Sequence, residues 1–146
     1  MFKVLFRFFC SLISSRIDID RLAQKYPVSV KAIIEDDGRY LVLKNENKEW
    51  DLPGGKLIEE QTIHENLRRE VKEETNLDIE VKDLIYVDLH KINKTSVLIV
   101  IFNVKINSTE PIIISHEHFE FRFCNLIDLK KMPTPSWLRE FIGHKL

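Results

Sequence analysis

Cysteine is nearly absent: Cys10 and Cys124 are the only two, far apart, in no C-x-x-C pair and without histidines at ligand spacing. Such usage indicates neither a disulfide framework nor a zinc site, and a reducing cytoplasm suits it. Net charge is also lacking. With 22 Lys and Arg against 23 Asp and Glu the formal charge is −1, so no global basic field draws the protein onto a polynucleotide. The very apolar stretch Met1 to Ser15 is too short to span a bilayer, and no internal repeat or low-complexity tract breaks the chain. Glycine is scarce. Two of the four stand side by side at Gly54 and Gly55.

What is there suffices for one globular domain. A chain of 146 residues, 44% hydrophobic and 31% charged, buries a continuous core without disulfides or metals. We place an N-terminal helical segment at residues 1–26 and the domain at 27–146. In Met1 to Ser15 the polar residues Lys3, Arg7, Cys10 and Ser14 recur at helical spacing, leaving Phe2, Leu5, Phe6, Phe9 and Ile13 on another face. That describes an amphipathic helix packed on the domain or on a partner chain, a homodimer included; a membrane-surface anchor and a cleaved signal are the alternatives. A second helical piece, Ile19 to Lys25, stops before Pro27.

Val28 to Ile34 is dense in β-branched residues, Asp36-Asp37-Gly38 signals a turn and Tyr40 to Leu43 supplies a second strand, so a hairpin is expected. After the turn at Pro53-Gly54-Gly55, Thr62 to Thr75 changes to a helical period with Ile63, Leu67 and Val71 in one stripe. Leu77 to Val87 and Ser96 to Ile106 read as long paired strands joined at Asn93-Lys94-Thr95, Phe119 to Phe123 as another strand, and Pro135 to Ile142 as a closing helix. Mixed strands with few helices predict α/β layers.

Chemistry is concentrated in the predicted helix. At about 100° per residue Glu70, Glu73 and Glu74 share one side, beside the apolar stripe rather than opposite it. Like charges crowded against a buried face call for a counter-charge. A hard divalent cation with oxygen ligands suits that need, and Arg69 can pair with Glu73 at i,i+4; an ordinary solvated charge run is the alternative on helix geometry alone.

Residues Gly55 to Leu77 resemble the box of the Nudix hydrolase family, G-x5-E-x7-R-E-U-x-E-E-x-G-U, with U a bulky aliphatic residue. Gly55, Arg69-Glu70-Val71, Glu73-Glu74 and Leu77 match, and Leu52-Pro53-Gly54 before it is typical. The resemblance covers roughly Val28 to Leu138 and implies an α/β/α sandwich with a mixed sheet. Two positions depart: Gln61 stands where the family has its first Glu, and Asn76 where it has a late Gly. Asn tolerates the left-handed conformation expected after a helix. Gln61 keeps an acceptor oxygen for a structural hydrogen bond but gives less to a cation.

The resemblance implies that Glu70, Glu73 and Glu74 hold Mg²⁺, for which Mn²⁺ can substitute, and that water attacks phosphorus of a diphosphate. Glu117, six residues before Phe123, is the candidate carboxylate outside the helix, with Glu120 second, and Glu70 or Glu117 would take the proton of the water. Gly54 and Gly55 would admit the ligand closely, and Trp50 would stack on a base or serve the core. His64, His116 and His118 read as surface or substrate-side residues. The stretch Tyr26 to Lys31 and the short domain look like small bacterial ADP-ribose pyrophosphatases, although Ile92 and Asn93 stand where many of those have a proline. Hydrolysis of nucleoside triphosphates is the alternative activity. A nucleotide-binding module with weak catalysis is the alternative of another class.

Overall fold

A computed structural model of the chain describes residues 24–107 and 109–145. The helix expected over Met1 to Ser15 lies outside the described residues; so does most of the piece Ile19 to Lys25, whose last two residues carry no regular structure. The described elements are β1 (Val28–Ile33), β2 (Glu35–Asp36), β3 (Arg39–Lys44), β4 (Trp50–Asp51), α1 (Ile63–Thr75), β5 (Ile79–Ile92), β6 (Thr95–Ile106), β7 (Glu120–Cys124), α2 (Leu126–Leu129) and α3 (Ser136–Lys145).

One sheet runs in the order β1-β6-β5, with β1 parallel to β6 and β5 antiparallel to it. Successive side chains of a strand face opposite ways, and β6 uses both faces. Ile99 and Ile101 join Trp137, Leu138, Phe141 and Ile142 of α3, whereas Val100 and Phe102 join Leu67 and Val71 of α1. The sheet therefore lies between two helices, which is the α/β/α sandwich. A second sheet is built on β3, which pairs with β2, β4 and β7.

The expected hairpin of Val28–Ile34 with Tyr40–Leu43 is corrected. β1 pairs with β6, and only Glu35 and Asp36 pair back onto β3. Burial explains the difference: Val30 and Ala32 face one cluster and Ile33 the other, a two-sided burial typical of strands with parallel neighbours. The chain changes sheets at Ile34, whose carbonyl accepts the Leu41 N–H at 2.9 Å. The turn itself is as read, with Asp37 and Gly38 at φ 49° and 70°.

α1 starts at a capping box. The Thr62 hydroxyl oxygen accepts the Glu65 N–H at 3.2 Å, and the Glu65 carboxylate accepts the Thr62 N–H at 2.8 Å. Thr62→Ala should cost about 1 kcal/mol of stability. The bonds from Thr62 hold the Glu65 carboxyl below its ordinary value of 4.5. Its contribution is present above pH 4.5 and is lost as the pH falls through the lowered value. Denaturant titrations between pH 3 and 7 should show that slope weakened in Glu65→Gln; equal slopes would contradict the cap. The helix ends on Asn76 at φ 65°, the left-handed residue expected from sequence.

Candidate active site

The glycine turn is laid against β1. The Val30 N–H donates to Gly55 O at 2.9 Å, Ala32 N–H to Pro53 O at 2.9 Å and Leu57 N–H to Val28 O at 2.8 Å. Lys31, between them, is buried. Its ammonium donates to the carbonyls of Leu52 (3.2 Å) and Gly54 (3.1 Å) and pairs with Asp51 at 3.0 Å, a full complement for three N–H donors. A lone lysine in a strand gives no such signal in sequence. Gly54 has φ 121°, and a Cβ there would stand 2.2 Å from Val30 O; one on Gly55 would stand 2.4 Å from Glu70 Oε2. The first glycine lets the turn meet β1, and the second makes room for the Glu70 carboxylate.

The three acids of α1 differ in depth. The Glu74 side chain is 11% exposed, Glu70 19% and Glu73 58%. Glu74 Oε2 accepts the Gly54 N–H at 2.7 Å and its Oε1 lies 3.0 Å from His118 Nε2, so this residue ties helix, glycine turn and a distant loop together. Arg69 is the local counter-charge. Its guanidinium donates to Glu70 (2.6 Å), Glu73 (2.8 Å), Asn66 Oδ1 (3.2 Å) and Gln61 Oε1 (3.1 Å). The i,i+4 pair with Glu73 is as expected. Gln61 does keep a structural hydrogen bond, and its partner is the arginine. Burial raises the Glu70 carboxyl above its ordinary value; Arg69 opposes this, and the charges of Glu74 and Glu73 add to it. The hydrogen bond to Glu74 raises the His118 imidazole against the opposing effect of its own burial.

A family model described as the NUDIX domain matches residues 25–144. That match covers most of the chain, including the glycine turn, α1 and the loop of His118. The chain belongs to the Nudix family. A curated relative, the "MutT-like protein" of Streptomyces ambofaciens, is 39% identical over 61 residues; the alignment covers 40% of this chain and 40% of the length of that protein. The MutT protein of Methanosarcina mazei is 26% identical with a TM-score of 0.73, over 82% of this chain and 92% of that one. An ADP-ribose pyrophosphatase of Streptococcus suis is 21% identical with a TM-score of 0.65, over 84% of each chain, a likeness of fold alone.

Nudix hydrolases generally need divalent metal ions, and the chemistry of this site fits one. Its donors are oxygens on a half-buried face: Glu70 and Glu73 share the Arg69 guanidinium, and Glu74 lies between the Gly54 N–H and His118. Among the described residues no three Asp, Glu, His or Cys side chains converge into a finished cage, since Arg69 draws Glu70 and Glu73 to itself. No helix among the described residues is long and apolar enough to cross a membrane.

Three residues singled out from the sequence stand apart from the helix acids. Trp50 takes the core position that was one of its two readings: it is 4% exposed, packs with residues of α3, and lies under Lys44 (5.4 Å) and Arg122 (4.9 Å). Glu117 is exposed, with no hydrogen bond or ion pair among the described residues, and Glu120 pairs with Arg122 and Lys44 on β7. The loop reaches the helix acids through His118 instead. A turn closed by the His118 N–H to Ser115 O at 3.2 Å points residue 118 inward and leaves 117 outside. His64 is exposed, as read, and stands edge-on to Phe102.

Proposed function

We propose that this chain hydrolyses the diphosphate of a nucleoside diphosphate derivative with Mg²⁺, for which Mn²⁺ can substitute, and that ADP-ribose is its leading substrate, giving AMP and ribose 5-phosphate. The observation that carries the reading is the approach of Glu70 and Glu74 to a glycine turn pinned by buried Lys31, with Glu73 beside them on α1 and paired with Arg69. A cleft of about 420 Å³ adjoins that turn through Asp51, the ion-pair partner of Lys31, and is lined by Asn45, Asn47, Asn93 and Arg139. Its volume suits a nucleoside, and side-chain amides supply both donors and acceptors for a base.

A bound divalent ion would be held by Glu70, Glu73 and Glu74, would offset the charge of the diphosphate and would acidify the attacking water. Glu70 is the favoured base. It stands over Gly55, and its burial gives it a raised proton affinity closer to working pH. The water oxygen bonds to phosphorus, its proton passes to Glu70, and the bridging P–O bond breaks with its electrons on the leaving phosphate. Arg69 holds Glu70 and Glu73 in position. The likeness to a MutT protein favours a second reading, in which a nucleoside triphosphate is cut to a monophosphate and diphosphate.

Chromatography of products from ADP-ribose, dinucleoside polyphosphates and nucleoside triphosphates distinguishes these. AMP with ribose 5-phosphate at the highest kcat/KM supports the first reading; preferred release of inorganic diphosphate supports the second and overturns the first.

A further inference from the structure

Lys31 stands on β1 between Val30 and Ala32, which pack with α1, so its side chain points to the other face of the sheet, toward α3. There its ammonium gathers acceptors from two parts of the site. Asp51 Oδ2, at 3.0 Å, belongs to the wall of the nucleoside-sized cleft, as does Trp137, whose ring centroid is 6.0 Å away. The carbonyls of Leu52 and Gly54, at 3.2 and 3.1 Å, belong to the glycine turn, and the Gly54 N–H donates to Glu74 Oε2 at 2.7 Å. One buried cation therefore ties the cleft to the turn on which a helix acid rests.

Stability alone does not account for this residue. A buried ion pair recovers little more than its cost of desolvation, and well-packed apolar side chains of similar volume commonly replace one without loss. What apolar side chains do not reproduce is the geometry. Three oxygens aimed at one point repel each other unless a compact ammonium with three donors sits among them. Both oxygens of Asp51 are engaged, Oδ1 by the Leu52 N–H at 2.7 Å and Oδ2 by Lys31. The cleft wall is thereby fixed relative to Gly54 and the acid it holds.

Resting on the reading that the chain hydrolyses a diphosphate whose nucleoside sits in this cleft, we propose that Lys31 is a positioning residue that sets which phosphorus of the diphosphate meets the attacking water. A diphosphate offers two neighbouring phosphorus atoms. Attack at one places the oxygen of water on that phosphate, the proton passes to Glu70, and the bridging oxygen leaves on the other phosphate with the bond electrons. For ADP-ribose the same two compounds form either way. The choice depends on the register between nucleoside and acids, which is what Lys31 holds.

Turnover in ¹⁸O-labelled water, with mass spectrometry of each phosphate-bearing product, reads that register for any substrate the full-length wild-type protein cuts. Wild type should label one product alone. Lys31→Met should split the label between the two products and lower kcat about 10- to 100-fold with little change in KM. Lys31→Arg, which keeps the charge and the donors, should return most of the label to one product. Asp51→Asn keeps the volume but presents one oxygen where Asp51 presents two, so it should split the label as well; it carries the test if Lys31→Met is unfolded by circular dichroism. A single labelled product in every folded variant would make Lys31 merely structural and overturn the proposal. Label in both products of wild type would also overturn it and leave the hydrolysis standing. Failure of wild type to cut any diphosphate derivative would overturn both.

Discussion

Glu73→Gln should lower kcat at least about 100-fold, a loss of about 2.7 kcal/mol of transition-state stabilisation, while leaving the protein folded. The residue is the most exposed of the three helix acids, and its only partner among the described residues is Arg69. Arg69 keeps Glu70, Asn66 and Gln61 when that bond weakens, so stability changes little. What disappears is one negative charge from the face that would hold the metal. Steady-state kinetics at saturating Mg²⁺ beside a thermal melt check both halves. Near-normal turnover would remove Glu73 from the ligands; a collapsed melt would make its role structural.

Gly54→Ala should cost about 3 to 5 kcal/mol of stability and lower the melting temperature by roughly 10 °C or more. Two costs combine. At φ 121° an L side chain is strained, and its Cβ would stand 2.2 Å from the backbone oxygen of Val30, which cannot rotate away as a side chain would. Relieving the contact would pull the turn from β1, breaking the Val30 to Gly55 and Ala32 to Pro53 bonds and shifting the N–H that holds Glu74. Chemical denaturation of the variant checks the size of the loss. A change under 1 kcal/mol would mean that the turn is more plastic than its bonding implies.

Features with a local cause were legible in the sequence. The helical period of Ile63, Leu67 and Val71, the Arg69 to Glu73 pair and the left-handed Asn76 all depend on residues within a turn or two, and all are found. The β5–β6 hairpin was legible for the same reason, with Asn93 at φ 54° between two β-branched runs. Roles set by tertiary placement were not. Lys31 meets Asp51, Leu52 and Gly54 across twenty or so positions of chain, and His118 meets Glu74 across 44. Neither leaves a period or motif. Sequence left Trp50 between a base platform and the core; pairing of β4 with β3 puts it in the core. β4 and α2, of two and four residues, are too short for any periodicity to show.

Turnover in ¹⁸O-labelled water, with whichever nucleotide derivative is cut fastest, tests the central claim most directly. With Mg²⁺ or Mn²⁺ present, one product phosphate should gain a single ¹⁸O atom, and after EDTA the reaction should stop and return when the ion is restored. Turnover that persists unchanged in EDTA, or products with no label on phosphorus, would contradict a metal-dependent attack of water on a diphosphate at the carboxylates of α1.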